Sequence, residues 1–183
     1  MSWEDTLAEA LSCTACGLAG GRTQVVFGVG DPTADLLFVG EGPGAEEDRQ
    51  GEPFVGRSGK LLDQLVLDEM GLTRDQFYIA NVVKCRPPGN RDPRPDEIAA
   101  CRKWLDAQLD HIEPKVTVTL GKFAGQTLLD SKESMGALRG REHPFRAGVC
   151  IPTFHPAYVL RSGAAAMAKM RADLVRAKLA LQS

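Results

Sequence analysis

The sequence predicts an α/β protein, a three-layer α/β/α sandwich built around a central four-stranded parallel sheet. Four apolar runs rich in Val, Ile and Phe, at 35–40, 77–83, 115–120 and 149–154, are bounded by turn residues and read as buried strands. Helical patterns at 58–70, 95–112 and 122–130 alternate with them, and a last one follows at 164–182. That order places helices on both faces of a parallel sheet. A chain of 183 residues buries enough core to stand without disulfides, so a single domain over residues 1–183 is expected.

The first run, Leu36-Leu37-Phe38-Val39, opens into Gly40-Glu41-Gly42-Pro43-Gly44-Ala45-Glu46-Glu47-Asp48, a glycine-rich turn with four acidic residues and no lysine. Such a turn repels a nucleoside triphosphate and suits a neutral ligand, a water molecule or a developing cation. The following Gly51-Glu52-Pro53-Phe54-Val55-Gly56-Arg57-Ser58 nearly spells a phosphate loop. Arginine replaces the required lysine and no strand precedes it, so nucleoside triphosphatase chemistry is excluded. Ser58 and Gly59 open a helix whose free amides suit one phosphate of a nucleic acid. The second run carries Asn81 and leads to the loop Arg86–Pro95, whose four prolines mark a long structured segment that grips a ligand. In the helix at 95–112, Ile98, Cys101, Leu105, Leu109 and Ile112 recur at helical spacing; in the last helix Met167, Met170, Leu174 and Leu181 form a core face. The last run delivers Phe154-His155-Pro156. Ligands of an open parallel sheet bind beyond the carboxyl ends of its strands. A carboxylate from the segment Glu41–Asp48, the Asn81 amide and the His155 imidazole are therefore expected to meet in one cleft.

A formal charge of -2 supplies no global attraction to nucleic acid, so such a partner needs a local basic patch. Candidates are Lys84, Arg86, Arg91 and Arg94 around one loop, and Arg139, Arg141, Arg146 and Arg161 later. Neither a secretory leader nor a long apolar run is visible, which leads to the expectation of a cytoplasmic protein with no membrane partner. Five cysteines in a reducing compartment point to metal rather than to disulfides. Cys13-Thr14-Ala15-Cys16 turns two sulfurs onto one centre, while Cys85 and Cys101 lie far along the chain. Cys101, on an apolar helix stripe, equally suits the core, and Cys150 within Val149-Cys150-Ile151 reads as a buried small hydrophobe. Spacing alone leaves iron–sulfur and zinc open.

The motifs Gly40-Glu41-Gly42-Pro43-Gly44, Glu47-Asp48, Pro53-Phe54-Val55-Gly56, Asn81-Val82-Val83-Lys84-Cys85-Arg86-Pro87-Pro88 and His155-Pro156-Ala157-Tyr158-Val159-Leu160-Arg161 together resemble the family 4 uracil-DNA glycosylases over nearly the whole chain. The resemblance implies the uracil-DNA glycosylase fold and a monofunctional enzyme of base excision repair, which flips deoxyuridine from DNA, hydrolyses its N-glycosidic bond, releases uracil and leaves an abasic site. It implies a [4Fe-4S] cluster on Cys13, Cys16, Cys85 and Cys101 that braces the N-terminus and the Arg86–Pro95 loop. Phe54 would stack on the flipped base, Asn81 would read the O4 and N3–H edge of uracil, Gly42 would line the pocket, and Glu47 would stand near C5, where a thymine methyl clashes.

Glycosidic cleavage leaves an oxocarbenium-like sugar and a uracil anion, which calls for negative charge at one end and a donor near O2 at the other. Glu41 and His155 take those catalytic places. Ser58, Arg86, Tyr158, Leu160 and Arg161 fall to DNA binding, the last three as an apolar wedge flanked by a phosphate-binding arginine. Gly42 stands where other uracil glycosylases carry Asp or Asn, so the water-activating role of Glu41 is an inference from this chain. A related branch links covalently to DNA through a histidine after the second strand. The histidines here are His111, His143 and His155, none between Cys85 and Cys101, so hydrolysis with free turnover is expected; a monomer is the usual state of a base-flipping enzyme of this size. Two other readings are a cysteine-metal DNA-binding module without cleavage, which has no need of Glu41, Asn81 and His155 together, and a zinc-stapled nucleoside hydrolase, which would lack salt-dependent DNA affinity.

Overall fold

Both faces of the first parallel strand are buried, as a strand lying between two helical layers requires. The computed structural model describes residues 1–183. Along the chain lie α1 (Trp3–Leu11), β1 (Val29–Gly30), β2 (Leu36–Gly40), α2 (Ala45–Gln50), α3 (Arg57–Met70), β3 (Tyr78–Asn81), α4 (Pro95–Ile112), β4 (Val116–Leu120), α5 (Lys122–Leu129), α6 (Met135–Leu138), β5 (His143–Phe145), β6 (Gly148–Thr153), α7 (Pro156–Ser162) and α8 (Ala164–Gln182). No helix is long and apolar enough to cross a membrane.

The expected four strands form the parallel centre of the sheet, but the sheet has six strands, in the order β1-β3-β2-β4-β6-β5. The two additional strands pair antiparallel at the edges, β1 on β3 and β5 on β6. They span two and three residues, too short to show a period of two, and one ends in Gly30 while the other contains Pro144. Their extension is imposed by the neighbouring strand rather than by their own propensity.

Side chains of β2 alternate between the layers. Leu36 and Phe38 join Ile79, Val118 and Ile151 against α3, α7 and α8, whereas Leu37 and Val39 join Tyr78 and Ala80 against α1, α4 and α5. Cys150 is fully buried, as its apolar segment suggests. Helices α1, α2, α6 and α7 were not legible as helices; α2 lies inside the acidic turn, capped by Gly44, and helix formation begins at Ala45 because three carboxylates, Glu46, Glu47 and Asp48, favour the positive end of a helix dipole.

Register then builds the site. In the β2–β3 ladder Gly40 lies opposite Asn81, so the acidic turn starts beside the amide at the end of β3. The strand expected at 77–83 leaves the sheet at Asn81, yet Val82 and Val83 still donate to the carbonyls of Gly40 and Glu41, at 2.9 and 3.1 Å. Helix α3 approaches closely enough that a methyl group at Gly59 would overlap the carbonyl of Phe54. Gly59→Ala should therefore push α3 away and cost about 1–3 kcal/mol, to be checked as a lowered midpoint of thermal unfolding.

Candidate active site and cysteine centre

A cleft of about 680 Å³ opens at the carboxyl ends of the parallel strands. Glu41, Gly42, Glu47, Phe54, Ser58, Asn81, His155, Tyr158 and Arg161 line it, so three separate strand ends do converge as the sequence predicted. Arg86 and Leu160 do not line it. Arg86 donates to Asn90 Oδ1 at 2.7 Å, and Leu160 is exposed on α7.

Each wall has a local cause. A Cβ at Gly40 would stand 2.6 Å from both Asn81 Oδ1 and the Phe54 ring, so only glycine lets those groups approach one another. Asn81 is 2 % exposed, and its side-chain amide faces the cleft without a hydrogen bond inside the protein. Phe54 has φ of 54°, a strained conformation for a bulky residue that costs on the order of 1–3 kcal/mol and persists only where the surroundings enforce it. Arg74 enforces it: its guanidinium donates to the carbonyls of Pro53, at 2.8 Å, and Phe54 while pairing with Asp63 at 2.6 Å. The Phe54 ring lies 5.5 Å from the His155 ring at a tilt of 32°.

Glu47 holds the acidic turn together. One carboxylate oxygen accepts from Gly44 N–H at 3.0 Å, the other from the amides of Val55 and Gly56 at 3.1 and 3.3 Å. It thus lines the cleft while tying the turn to the Phe54 segment.

Two titratable groups are driven in opposite directions. Burial, then the neighbouring Asp92 carboxylate, pushes the Glu41 carboxyl up to about 7. Burial, then the positive charge of Arg161, pulls His155 down to about 4, with Glu47 acting weakly the other way. The His155 Nδ1 accepts from Ala157 N–H at 3.0 Å. A neutral imidazole with Nδ1 so occupied carries its proton on Nε2.

Basic residues behave differently from the sequence expectation. Lys84 is fully buried and cannot touch a duplex; it donates to the Asn81 carbonyl at 2.8 Å and to Gln108. Arg91 pairs bidentately with buried Glu97 at 2.8 Å, Arg139 with buried Asp173 at 2.7 Å, and Arg146 with Asp106 at 3.1 Å and with Asp110. Arg161, Arg91 and Lys122 remain at the cleft. Sequence reasoning missed Lys122, Phe123 and Gln126, which follow β4 and line the cleft. The rule that strand ends converge, applied to the run at 115–120 as to the other three, would have found them.

Behind the sheet edge, Cys13, Cys16, Cys85 and Cys101 line one small apolar cavity together with Arg22, Lys84 and Trp104. Four thiols scattered over nearly ninety residues of chain are thereby brought to one place, although no three acidic, thiol or imidazole side chains are grouped closely enough to hold a single metal ion. Arg22 donates to the Cys13 carbonyl at 2.6 Å and to the Cys85 sulfur at 3.4 Å, and the Lys84 amide donates to the Cys101 sulfur at 3.3 Å. The Trp104 indole Nε1–H is buried, makes no hydrogen bond of full geometry and is directed at the Cys13 thiol.

The profile described as Uracil DNA glycosylase superfamily matches residues 27–177. A protein named type-4 uracil-DNA glycosylase from Thermotoga maritima is 51 % identical over 152 residues, 82 % of this chain and 79 % of its own. Proteins of the same name from Sulfurisphaera tokodaii and Archaeoglobus fulgidus are 45 % and 42 % identical, each over 87 % of this chain and over 76 % and 83 % of their own. The chain belongs to the type-4 uracil-DNA glycosylases.

Asp92→Asn should bring the Glu41 carboxyl closer to its ordinary value, visible as an earlier titration by carboxyl-carbon NMR. The sign for stability follows: between about 4.5 and about 7 the folded chain holds a Glu41 proton that the unfolded chain has released, so this group lowers stability as pH rises through that window. Asp92→Asn should narrow the window, measured by thermal unfolding against pH.

Proposed function

We propose that the chain is a uracil-DNA glycosylase of base excision repair that flips deoxyuridine into the cleft, hydrolyses its N-glycosidic bond and leaves an abasic site. The observation that carries the reading is the meeting in one cleft of an unpartnered Asn81 amide at the end of β3, the Phe54 ring held on a strained backbone, and a neutral His155 with its Nε2–H free. Unstacking the base costs a few kcal/mol, and stacking on Phe54 returns part of that. Asn81 offers one donor and one acceptor to the O4 and N3–H edge of uracil and mismatches cytosine. Lys84 holds the Asn81 carbonyl, so the reader does not rotate with its strand end.

The His155 Nε2–H donates to uracil O2 as the bond breaks and the base becomes an anion. A neutral donor suffices, because the anion is the weaker base once delocalised and the proton need not transfer. Glu41 stands at the sugar end, where its carboxylate orients the attacking water and faces the developing positive charge. Gly42 lines the pocket floor. Glu47 places the turn against the base, and through that turn acts near C5. Ser58 at the start of α3, and Tyr158 and Arg161 on α7, meet the DNA backbone and the gap left by the base, with Arg86 and Leu160 as further DNA contacts. The chain acts as a cytoplasmic monomer on uracil-containing DNA, as one domain over residues 1–183.

Cys13, Cys16, Cys85 and Cys101 would hold a [4Fe-4S] cluster. Three features support the fit. Four cysteine thiolates are the donor set of a [4Fe-4S] cluster, and Cys13, Cys16, Cys85 and Cys101 line one cavity. The Arg22 guanidinium reaches the Cys85 sulfur with no carboxylate partner, and the Lys84 backbone amide donates to the Cys101 sulfur, a placement that suits an anionic group. The Trp104 N–H, directed at the Cys13 thiol, lies on the same wall. When bound, the cluster supplies covalent bracing between the N-terminal segment, the end of β3 and α4, and no redox step enters the hydrolysis.

An oligonucleotide with one deoxyuridine, treated with the protein and then with hot alkali, should be nicked only at uracil. His155→Ala should slow release by roughly 10²–10³-fold, read from single-turnover rates, and a strand bound but never nicked would overturn the enzyme reading. Asn81→Asp should reduce the preference for uracil over cytosine, and unchanged preference would remove Asn81 from the reading role. Between about pH 5 and 8 the rate should carry no step from His155, whose proton leaves at about 4, while its acidic limb should follow Glu41.

A further inference from the structure

The cysteine cavity contains more hydrogen-bond donors than the folded chain uses. Trp104, on α4 one turn from Cys101, is 7 % exposed; its Nε1–H is fully buried, completes no hydrogen bond of full geometry and is directed at the Cys13 thiol. It lies on the wall of the cavity that the four cysteines line. Nothing else there accepts a proton: apart from the cysteines, Arg22 and Lys84, the lining side chains are apolar. Buried indole N–H groups find acceptors in native proteins, and the side chain this one is directed at is the Cys13 thiol, so its acceptor is sulfur at the cysteine centre. The other two donors repeat the pattern, since Arg22 reaches the Cys85 sulfur at 3.4 Å and the Lys84 amide reaches the Cys101 sulfur at 3.3 Å.

Resting on the cluster reading above, we propose that Trp104 is a positioning residue for the cluster, its indole N–H donating to a cluster sulfur beside Cys13, with Arg22 as a second donor at Cys85. Such N–H to sulfur bonds strengthen as electron density on sulfur rises, so they stabilise the reduced state more than the oxidised one and raise the reduction potential. They also spread over α4 and the N-terminal segment the charge that a cluster brings into an apolar wall. One electron enters the cluster from an electrode in this equilibrium, and no bond to the protein forms or breaks.

The test compares the purified holoprotein with Trp104→Phe, which keeps the ring volume and removes the N–H. Both are assayed for iron and acid-labile sulfide and titrated electrochemically. Trp104→Phe with full iron content should reduce at a more negative potential, by about tenfold in the reduction equilibrium, equivalent to ~59 mV for one electron; Arg22→Gln should shift it in the same direction. A Trp104→Phe protein with full iron content and an unchanged potential would overturn the proposal. If Trp104→Phe retains no cluster, Trp104→His decides: a ring N–H that restores iron supports the donor role, and failure to restore it overturns that role. Wild-type protein free of iron and sulfide would instead remove the cluster reading on which the proposal rests.

Discussion

The carboxylate of Glu47 joins two backbone segments that would otherwise drift apart. Its oxygens take the amides of Gly44 on one side and of Val55 and Gly56 on the other, and charge-assisted bonds of this kind are roughly twice as strong as neutral ones. The turn that carries Glu41 and Gly42 is thereby fixed to the segment that carries Phe54. Arg74 completes the arrangement from outside by gripping the Pro53 and Phe54 carbonyls. A ring in a left-handed backbone conformation is unfavourable by itself; here it is over-determined by ionic bonds to backbone, and strain of that sort concentrates at functional sites.

The same cleft separates two titratable groups by electrostatics. Glu41 and His155 are both partly removed from water, and desolvation disfavours the charged form of each. Burial therefore raises one and lowers the other. The neighbours reinforce the split, a carboxylate beside Glu41 and a guanidinium near His155. The cleft therefore holds a neutral imidazole together with a carboxyl poised near neutrality. The apolar β strands beneath do not take part in this chemistry; they fix where each group stands.

Buried Lys84 connects the two halves of the molecule. Its ammonium donates to the Asn81 carbonyl while its backbone amide donates to the Cys101 sulfur, so one residue ties the cleft wall to the cysteine cavity. A second strap runs from the cysteine segment to the acidic turn: Thr23 and Gln24 donate their amides to buried Asp48 on α2 at 2.8 and 3.4 Å. The N-terminal segment is thus tied to the helix that carries Glu47.

The sequence alone determined the four parallel strands, the long helices and the residues at three strand ends, because burial on both faces forces continuous apolar runs and because glycine, asparagine and histidine punctuate their ends. It also identified the four cysteines as a set, through the family resemblance rather than through spacing. It did not disclose β1 and β5, whose two and three residues take their shape from neighbours, nor α2, hidden inside a turn. Only the tertiary structure decided which charges are free. Lys84, Arg91 and Arg139 look alike in sequence as basic residues near loops, yet one is buried on a carbonyl and two are paired with buried carboxylates, because ion pairing depends on which distant acid the fold brings within reach. For the same reason the burial of the Trp104 N–H and the opposite shifts of Glu41 and His155 exist only in three dimensions: each depends on what is excluded from the neighbourhood, and a linear sequence records only what is present.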